Sequence, residues 1–190
     1  AEEGFMVSEI VAGEPRAYPR ALDDSDSFDS ELALNDKGAL IIDSVYDLDG
    51  EDSSVIGIAN QSVLGSVAHA ERPARFIRFT KPVAIPDDDI LDIPNYAFGV
   101  SASRFMMEIV GNSIVEPDGS VAAWVPANTP LSFSILDSNG RRIGSRHNFW
   151  IQLAAGEVLQ CTGCHTNNSE LPHGRIDSQP ESSNPGAISL

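Results

Sequence analysis

Cysteine and basic residues are scarce in this chain of 190 residues, and long apolar runs are absent. The two cysteines, Cys161 and Cys164, exclude a framework of several disulfides. Twelve lysines and arginines stand against 28 aspartates and glutamates, and the net charge of −16 disfavours binding to nucleic acid or to an anionic membrane. No stretch approaches the ~20 apolar residues of a membrane-spanning helix. No signal peptide is recognisable, so any such segment is expected to have been removed or to lie outside this sequence.

Residues 161–165, Cys-Thr-Gly-Cys-His, match the attachment motif of a c-type haem. Two thiols three positions apart can form thioethers to both vinyl groups of one porphyrin, and the adjacent His165 can bind the iron. A thioredoxin-like redox pair would need a βαβ context, which the sequence does not suggest. A structural zinc site remains an alternative, with the two thiols, His165 and His173 as ligands. The favoured prediction is one covalent haem c, with Cys161, Cys164 and His165 binding it.

The residue opposite His165 across the iron decides between an electron carrier and a haem with an open site. His147 is favoured as this second ligand, because Trp150 beside it could line a haem face and Arg146 could pair with a propionate. The arginines here are equally compatible with a solvated hairpin. His173 is the next candidate. The remaining candidates are His69, Met6, Met106 and Met107, with core packing favoured for the last two.

The distribution of apolar residues predicts a mainly β fold, an antiparallel β-sandwich-like domain. Short apolar or alternating runs separated by turn signals predict strands. A short haem-binding helix carrying the motif is expected near the C-terminus, between Gly156 and His165. The predicted strands are residues 5–11, 39–46, 76–79, 105–110, 121–126, 131–136 and 148–153.

The chain is expected to divide into three parts. Residues 1–37 are predicted to form an N-terminal strand and acidic loop, residues 38–177 the β-rich haem domain, and residues 178–190 a polar tail. The acidic turn at residues 47–52 is dense enough in carboxylates for calcium to be a weak alternative to a plain turn. It lacks the order of ligands found in an EF-hand loop.

A series of short segments resembles the haem-bearing middle domain of the hydrazine synthase alpha-subunit-like proteins. The resemblance covers roughly residues 38–175 and implies a β-rich domain with one covalent haem, in a longer exported protein. It also supports His147 and His173 as ligand candidates, because their surrounding residues 146–150 and 172–175 match recurring stretches. It does not imply hydrazine synthesis, which needs partner subunits and additional haem. The matching segments are residues 44–50, 85–89, 115–121, 125–128, 136–141, 156–157 and 161–165.

Electron transfer by a mono-haem c-type cytochrome domain is the favoured function, with a periplasmic or extracellular location because haem c is attached outside the cytoplasm. The acidic surface predicts a redox partner protein with a basic docking surface. No nucleic acid and no membrane span are expected, and other domains of the same polypeptide are possible partners. The alternative is a five-coordinate haem enzyme or a domain that binds peroxide, NO or CO. A sugar-binding sandwich using Trp124 and Trp150 is a third hypothesis.

Overall fold

Short strands dominate the part of the chain that the computed structural model describes, residues 28–94, 96–97, 106–147 and 149–166. Its helices are α1 (Ser30–Leu34), α2 (Ile58–Gln61) and α3 (Val67–Glu71), none longer than five residues. None of these helices has the length and apolar content needed to cross a membrane. The strands are β1 (Lys37–Ile42), β2 (Asp47–Leu48), β3 (Glu51–Asp52), β4 (Phe76–Pro82), β5 (Met107–Ile114), β6 (Val121–Pro126), β7 (Ser132–Leu136) and β8 (Val158–Cys161).

The first sheet has the order β6-β1-β8, with β1 in the centre. Strand β6 pairs with β1 in the antiparallel sense, from Lys37 opposite Pro126 to Ile42 opposite Val121. Strand β8 pairs with β1 in the parallel sense and ends with Cys161 beside Ile42. The first sheet therefore places the first motif cysteine at the carboxyl end of β1.

The second sheet has the order β5-β4-β7, and both of its pairings are antiparallel. Strand β4 contains the strand predicted at residues 76–79, and its burial alternates, with Ile77 and Phe79 fully buried. The register between β4 and β5 shifts at Phe79 and Thr80, which marks a β-bulge. Strands β2 and β3 form a separate short hairpin.

Both three-stranded sheets contribute side chains to one hydrophobic core. Leu40 and Val121 come from the first sheet, Phe79 from the second, and all three are fully buried. Burial of each such side chain contributes roughly 1.5–3 kcal/mol to the free energy of folding, relative to leaving it exposed. The prediction of a mainly β fold with antiparallel sheets is confirmed, except that β1 and β8 run parallel.

The turn before β6 fixes the loop that follows β1. The backbone N–H of Val45 donates to the Gly119 carbonyl at 2.8 Å, and the Ser44 hydroxyl donates to the Asp118 carbonyl at 2.7 Å. These bonds hold residues 44–46 against the body of the domain, just before β2 begins at Asp47.

The predicted helix between Gly156 and His165 is wrong. Gly156 has a positive φ of 86° and forms a turn in which the Glu157 carboxylate accepts from the Ala154 backbone N–H. The chain then extends, because its backbone bonds to β1 outweigh the local helical signal. The predicted strand at 148–153 is reduced to one bridge between Ile151 and Leu131, with position 148 outside the described residues.

Two predicted terminal features, the strand at 5–11 and the polar tail at 178–190, lie outside the described residues. The domain boundaries at 37 and 177 stay predictions.

Candidate functional site

The motif of residues 161–165 begins where β8 ends. Cys161 is half-buried and its carbonyl accepts a hydrogen bond from the Asp43 backbone N–H at 2.9 Å. Cys164 is also half-buried, and neither thiol is in a disulfide. The pairing of β8 with β1 thus fixes the backbone on which the motif starts.

The second half of the motif is held on the hairpin formed by β2 and β3. The Cys164 backbone N–H donates to the Asp47 carbonyl at 2.7 Å, and the Asp49 N–H donates to the Cys164 carbonyl at 2.9 Å. The Thr166 N–H donates to the Asp49 carboxylate at 3.0 Å. The motif is therefore anchored on both sides of the histidine.

Gly163 packs so closely against Asp47 that no side chain fits there. A Cβ at this position would lie 2.8 Å from both the Cβ and the carbonyl oxygen of Asp47. Asp47 is itself buried, and its carboxylate accepts from the Gly50 backbone N–H at 2.9 Å. The glycine of the motif is thus required by the hairpin beneath it.

Both thiols are shifted towards their protonated form. Burial raises the pKa of Cys164 to about 11, with Cys161 and Asp47 adding to the effect. Burial also raises the pKa of Cys161, and Asp43 adds to this. Reactive redox cysteines have lowered pKa values, so this environment does not resemble a thioredoxin-like redox pair.

His165 is exposed, and its Nδ1 lies 3.3 Å from the Thr166 carbonyl oxygen. Two free thiols three positions apart, followed by an accessible imidazole, are the groups that a c-type haem uses, the thiols for its thioethers and the imidazole for its iron. The residues present therefore fit a covalent haem.

His147 lies at the second sheet. Its ring stacks on Phe133, with centroids 4.6 Å apart, and its Nδ1 lies 2.7 Å from the Phe149 carbonyl oxygen. Its backbone carbonyl accepts from the Ser132 hydroxyl, also in this sheet. These contacts place His147 beside β7, while Cys161 ends β8 in the other sheet.

The other predicted haem contacts also lie near the second sheet or outside the described residues. Arg146 Nη1 lies 3.6 Å from the Met107 sulfur in β5. Trp150 is exposed, whereas Trp124 in β6 is half-buried. His173 lies outside the described residues. Roles for His147, His173, Arg146 and Trp150 stay predictions.

The carboxylates of the acidic turn cap backbone N–H groups. Asp47 accepts from Gly50, Asp49 from Thr166, and Asp52 from Ile58. Among the described residues, no group of three or more His, Cys, Asp or Glu side chains is arranged to hold a metal ion. Calcium binding at this turn stays a prediction.

Tyr46 links this hairpin to the segment that follows α3, and sequence reasoning did not single it out. Its hydroxyl accepts from the Ala74 backbone N–H at 2.9 Å, and its carbonyl accepts from Ser53. Burial raises the pKa of Tyr46, and the bond from Ala74 offsets part of this rise. The sequence does not indicate this link, because Ala74 lies 28 positions after Tyr46.

Tyr46→Phe is expected to lower the free energy of unfolding by about 1–3 kcal/mol at neutral pH, because the buried Ala74 N–H loses its acceptor. The stability from Tyr46 is present in full below pH ~10, the unfolded value, and is lost as pH rises through the raised folded pKa. Urea unfolding at pH 7 and at alkaline pH checks both effects. Tyr96→Phe is the control, since Tyr96 is exposed. Equal effects of the two substitutions would contradict the prediction.

Comparison with known proteins gives a family match over most of the described chain. Residues 40–166 match the family described as hydrazine synthase alpha subunit middle domain. A solved structure, Kuenenia stuttgartiensis hydrazine synthase, is similar with 19% identity and a TM-score of 0.49. That similarity covers 73% of this chain, which spans about a fifth (19%) of the other chain. No curated protein matches.

Proposed function

Because the chain belongs to the family of the hydrazine synthase alpha subunit middle domain, we propose that it carries one covalent haem c and transfers electrons as a domain of a longer exported protein. Cys161 and Cys164 would supply the two thioethers, and His165 would bind the iron. The observation that carries the proposal is the pair of free, half-buried thiols beside the accessible imidazole of His165. Bound haem supplies one-electron chemistry at its iron.

The chain's own contribution is to hold and orient the motif. Strand β8 is hydrogen-bonded to β1, and the Cys164 backbone is clamped between Asp47 and Asp49. These bonds would limit movement of the attachment points of a bound haem. A rigid, partly buried attachment of this kind suits electron relay better than substrate turnover.

A second histidine opposite His165 is part of the proposal, because a six-coordinate iron needs little rearrangement between its two oxidation states. His147 and His173 are the candidates that the sequence favours. The net charge of −16 supports docking to a basic redox partner protein. Covalent haem attachment supports a periplasmic or extracellular location.

The experiment is a visible spectrum of the protein produced in the periplasm together with haem c maturation proteins. We expect one covalent haem per chain, a low-spin reduced spectrum and no change on addition of CO, because both axial positions are filled. In a titration with redox mediators, we also expect the protein to take up and release one electron reversibly. The cytoplasmically produced, haem-free chain is the control.

Two results would count against electron transfer by a six-coordinate haem. Absence of covalent haem would refute haem binding itself. Ready binding of CO or NO to the native reduced protein would instead support the alternative, a five-coordinate haem enzyme or small-ligand binding domain.

A further inference from the structure

Two buried carboxylates lie beside the two motif thiols. Asp43 directly follows β1 and is 7% exposed, and Asp47 begins β2 and is 1% exposed. Aspartate is almost never buried to this degree unless its charge is paired or hydrogen-bonded. Both residues belong to the segment that holds residues 161–165, so their charge acts on whatever is attached there.

Asp43 is held against Cys161 and its neighbour in β8. Its backbone N–H donates to the Cys161 carbonyl at 2.9 Å, one position after Ile42, which pairs with Cys161. Its carboxylate accepts from Gln160 Nε2 at 2.9 Å. Because the Gln160 amide is a neutral donor, this bond fixes the carboxylate at the end of β8 without cancelling its negative charge.

Asp47 is held against the other half of the motif. Its carbonyl accepts from the Cys164 N–H at 2.7 Å, and a Cβ on Gly163 would lie 2.9 Å from its Cγ. The carboxyl group of Asp47 therefore lies directly beneath the motif. Its acceptor bond from the Gly50 backbone N–H, at 2.9 Å, also comes from a neutral donor. The two carboxylates thus lie on the motif's support, one near each thiol.

Both charges reach the sulfur positions. Burial is the largest cause of the raised pKa of Cys161, and the charge of Asp43 is the next. For the raised pKa of Cys164, burial is followed by Cys161 and Asp47. Charges in a partly buried site are screened less than charges in water. A negative charge that disfavours a thiolate at these sulfurs also disfavours added electron density on a group bonded to them.

The same charges would act on a haem bonded through these sulfurs. Ferric haem carries one more positive charge than ferrous haem, so negative charge near its attached edge stabilises the ferric form. Stabilising the oxidised form lowers the midpoint potential. The carboxylates need no contact with the iron for this effect.

We infer that Asp43 and Asp47 lower the midpoint potential of the haem attached at Cys161 and Cys164, acting as fixed charges and not as ligands. This inference rests on the proposed function. Their removal from water is compensated by hydrogen bonds from Gln160 and Gly50, which keep the charges in place. The domain then gives up its electron readily, and its electron donor must be a reductant of correspondingly low potential.

The test compares mediator titrations of the haem-loaded native protein, Asp43→Asn and Asp47→Asn. Asparagine keeps the size of the side chain and an oxygen acceptor for Gln160 or Gly50, but it removes the charge. We expect a higher midpoint potential in each variant, and we expect the shift to persist in high salt, because buried charges are weakly screened. Asp88→Asn is the matched control, since it removes one charge from an exposed position and is expected to leave the potential unchanged.

A second pair of variants leaves both carboxylates in place. Gln160 is exposed, so Gln160→Lys adds a cation beside Asp43 without disturbing the core. We expect this variant to raise the midpoint potential. Gln160→Met has a similar length and no charge, and it is expected to stay close to the native potential. Gln160→Lys decides if the Asp43 and Asp47 variants do not accumulate with haem.

The haem-free chain gives a readout that does not depend on haem. In a Cys164→Ser background, where Cys161 is the single thiol, Asp43→Asn is expected to speed alkylation by iodoacetamide at weakly alkaline pH. Removing the charge lowers the pKa of Cys161, and the reactive thiolate fraction then rises. An unchanged rate would show that the charge of Asp43 does not reach Cys161 and would overturn its part in the inference.

Unchanged midpoint potentials in Asp43→Asn, Asp47→Asn and Gln160→Lys, with full haem content, would overturn the inference while leaving haem binding intact. An equal shift in Asp88→Asn would overturn it as well, because net charge alone would then explain the result. A native protein without covalent haem would remove the proposed function and this inference together.

Discussion

Replacing both motif thiols, Cys161→Ser together with Cys164→Ser, is expected to abolish covalently bound haem. A serine hydroxyl does not form the thioether, and the chain contains no other cysteine. The exchange of sulfur for oxygen is close to isosteric at two half-buried positions, so the domain is expected to remain folded. The measurement is haem remaining on the protein after acid–acetone extraction, alongside far-ultraviolet circular dichroism.

Single substitutions and a neighbouring control sharpen this result. Cys161→Ser and Cys164→Ser are each expected to retain one thioether, which pyridine haemochrome spectra distinguish from two. Thr162→Ser, between the cysteines, is expected to keep the native haem content. Extraction-resistant haem in the double variant would show that the motif is not the attachment site.

Gly163→Ala is expected to have the second large effect, because the added methyl group would lie 2.8 Å from two atoms of Asp47. Asp47 cannot easily yield, since its carboxylate binds Gly50 and its carbonyl binds Cys164. Overpacking of this kind costs about 1–3 kcal/mol. We expect a lower free energy of unfolding in the haem-free protein and less covalent haem per chain, because the motif moves off the hairpin.

The matched control for Gly163→Ala is Thr162→Ala, one position earlier in the same turn. Urea unfolding of both haem-free proteins and their haem content after maturation give the comparison. Indistinguishable values for the two variants would mean that the contact with Asp47 does not constrain the motif.

Much of the fold could be predicted from the sequence where local pattern and final environment agree. Strand β6 is visible in the sequence as a short apolar run bounded by turn signals, and in the structure Val121, Ala123 and Val125 are its buried residues. Strand β4 was recognised for the same reason, with Ile77 and Phe79 on its buried face. The extension of β4 from Phe79 to Pro82 was not predicted, because the mixed polar and apolar residues after Phe79 have no clear period.

Strand β8 could not be predicted, because a run as short as Val158–Cys161 has no clear period and fits a helix and a strand equally well. Its state is decided by a parallel partner that is remote in sequence. The same limit applies to the site. The spacing of Cys161, Cys164 and His165 is visible in the sequence, whereas the contact of Gly163 with Asp47 depends on how distant segments pack.

The parallel pairing of β8 with β1 also determines when, during folding, the first sheet becomes complete. Strand β1 is the first strand of the described chain and β8 the last, so nearly all of the intervening residues form the loop that closes when the two pair. Loop-closure entropy and a high contact order both delay such a pairing. Until then one edge of β1 is open, and Cys161 lies on a strand that has not yet docked. If haem is attached as proposed, maturation would therefore meet the motif while it is accessible, and docking of β8 would follow.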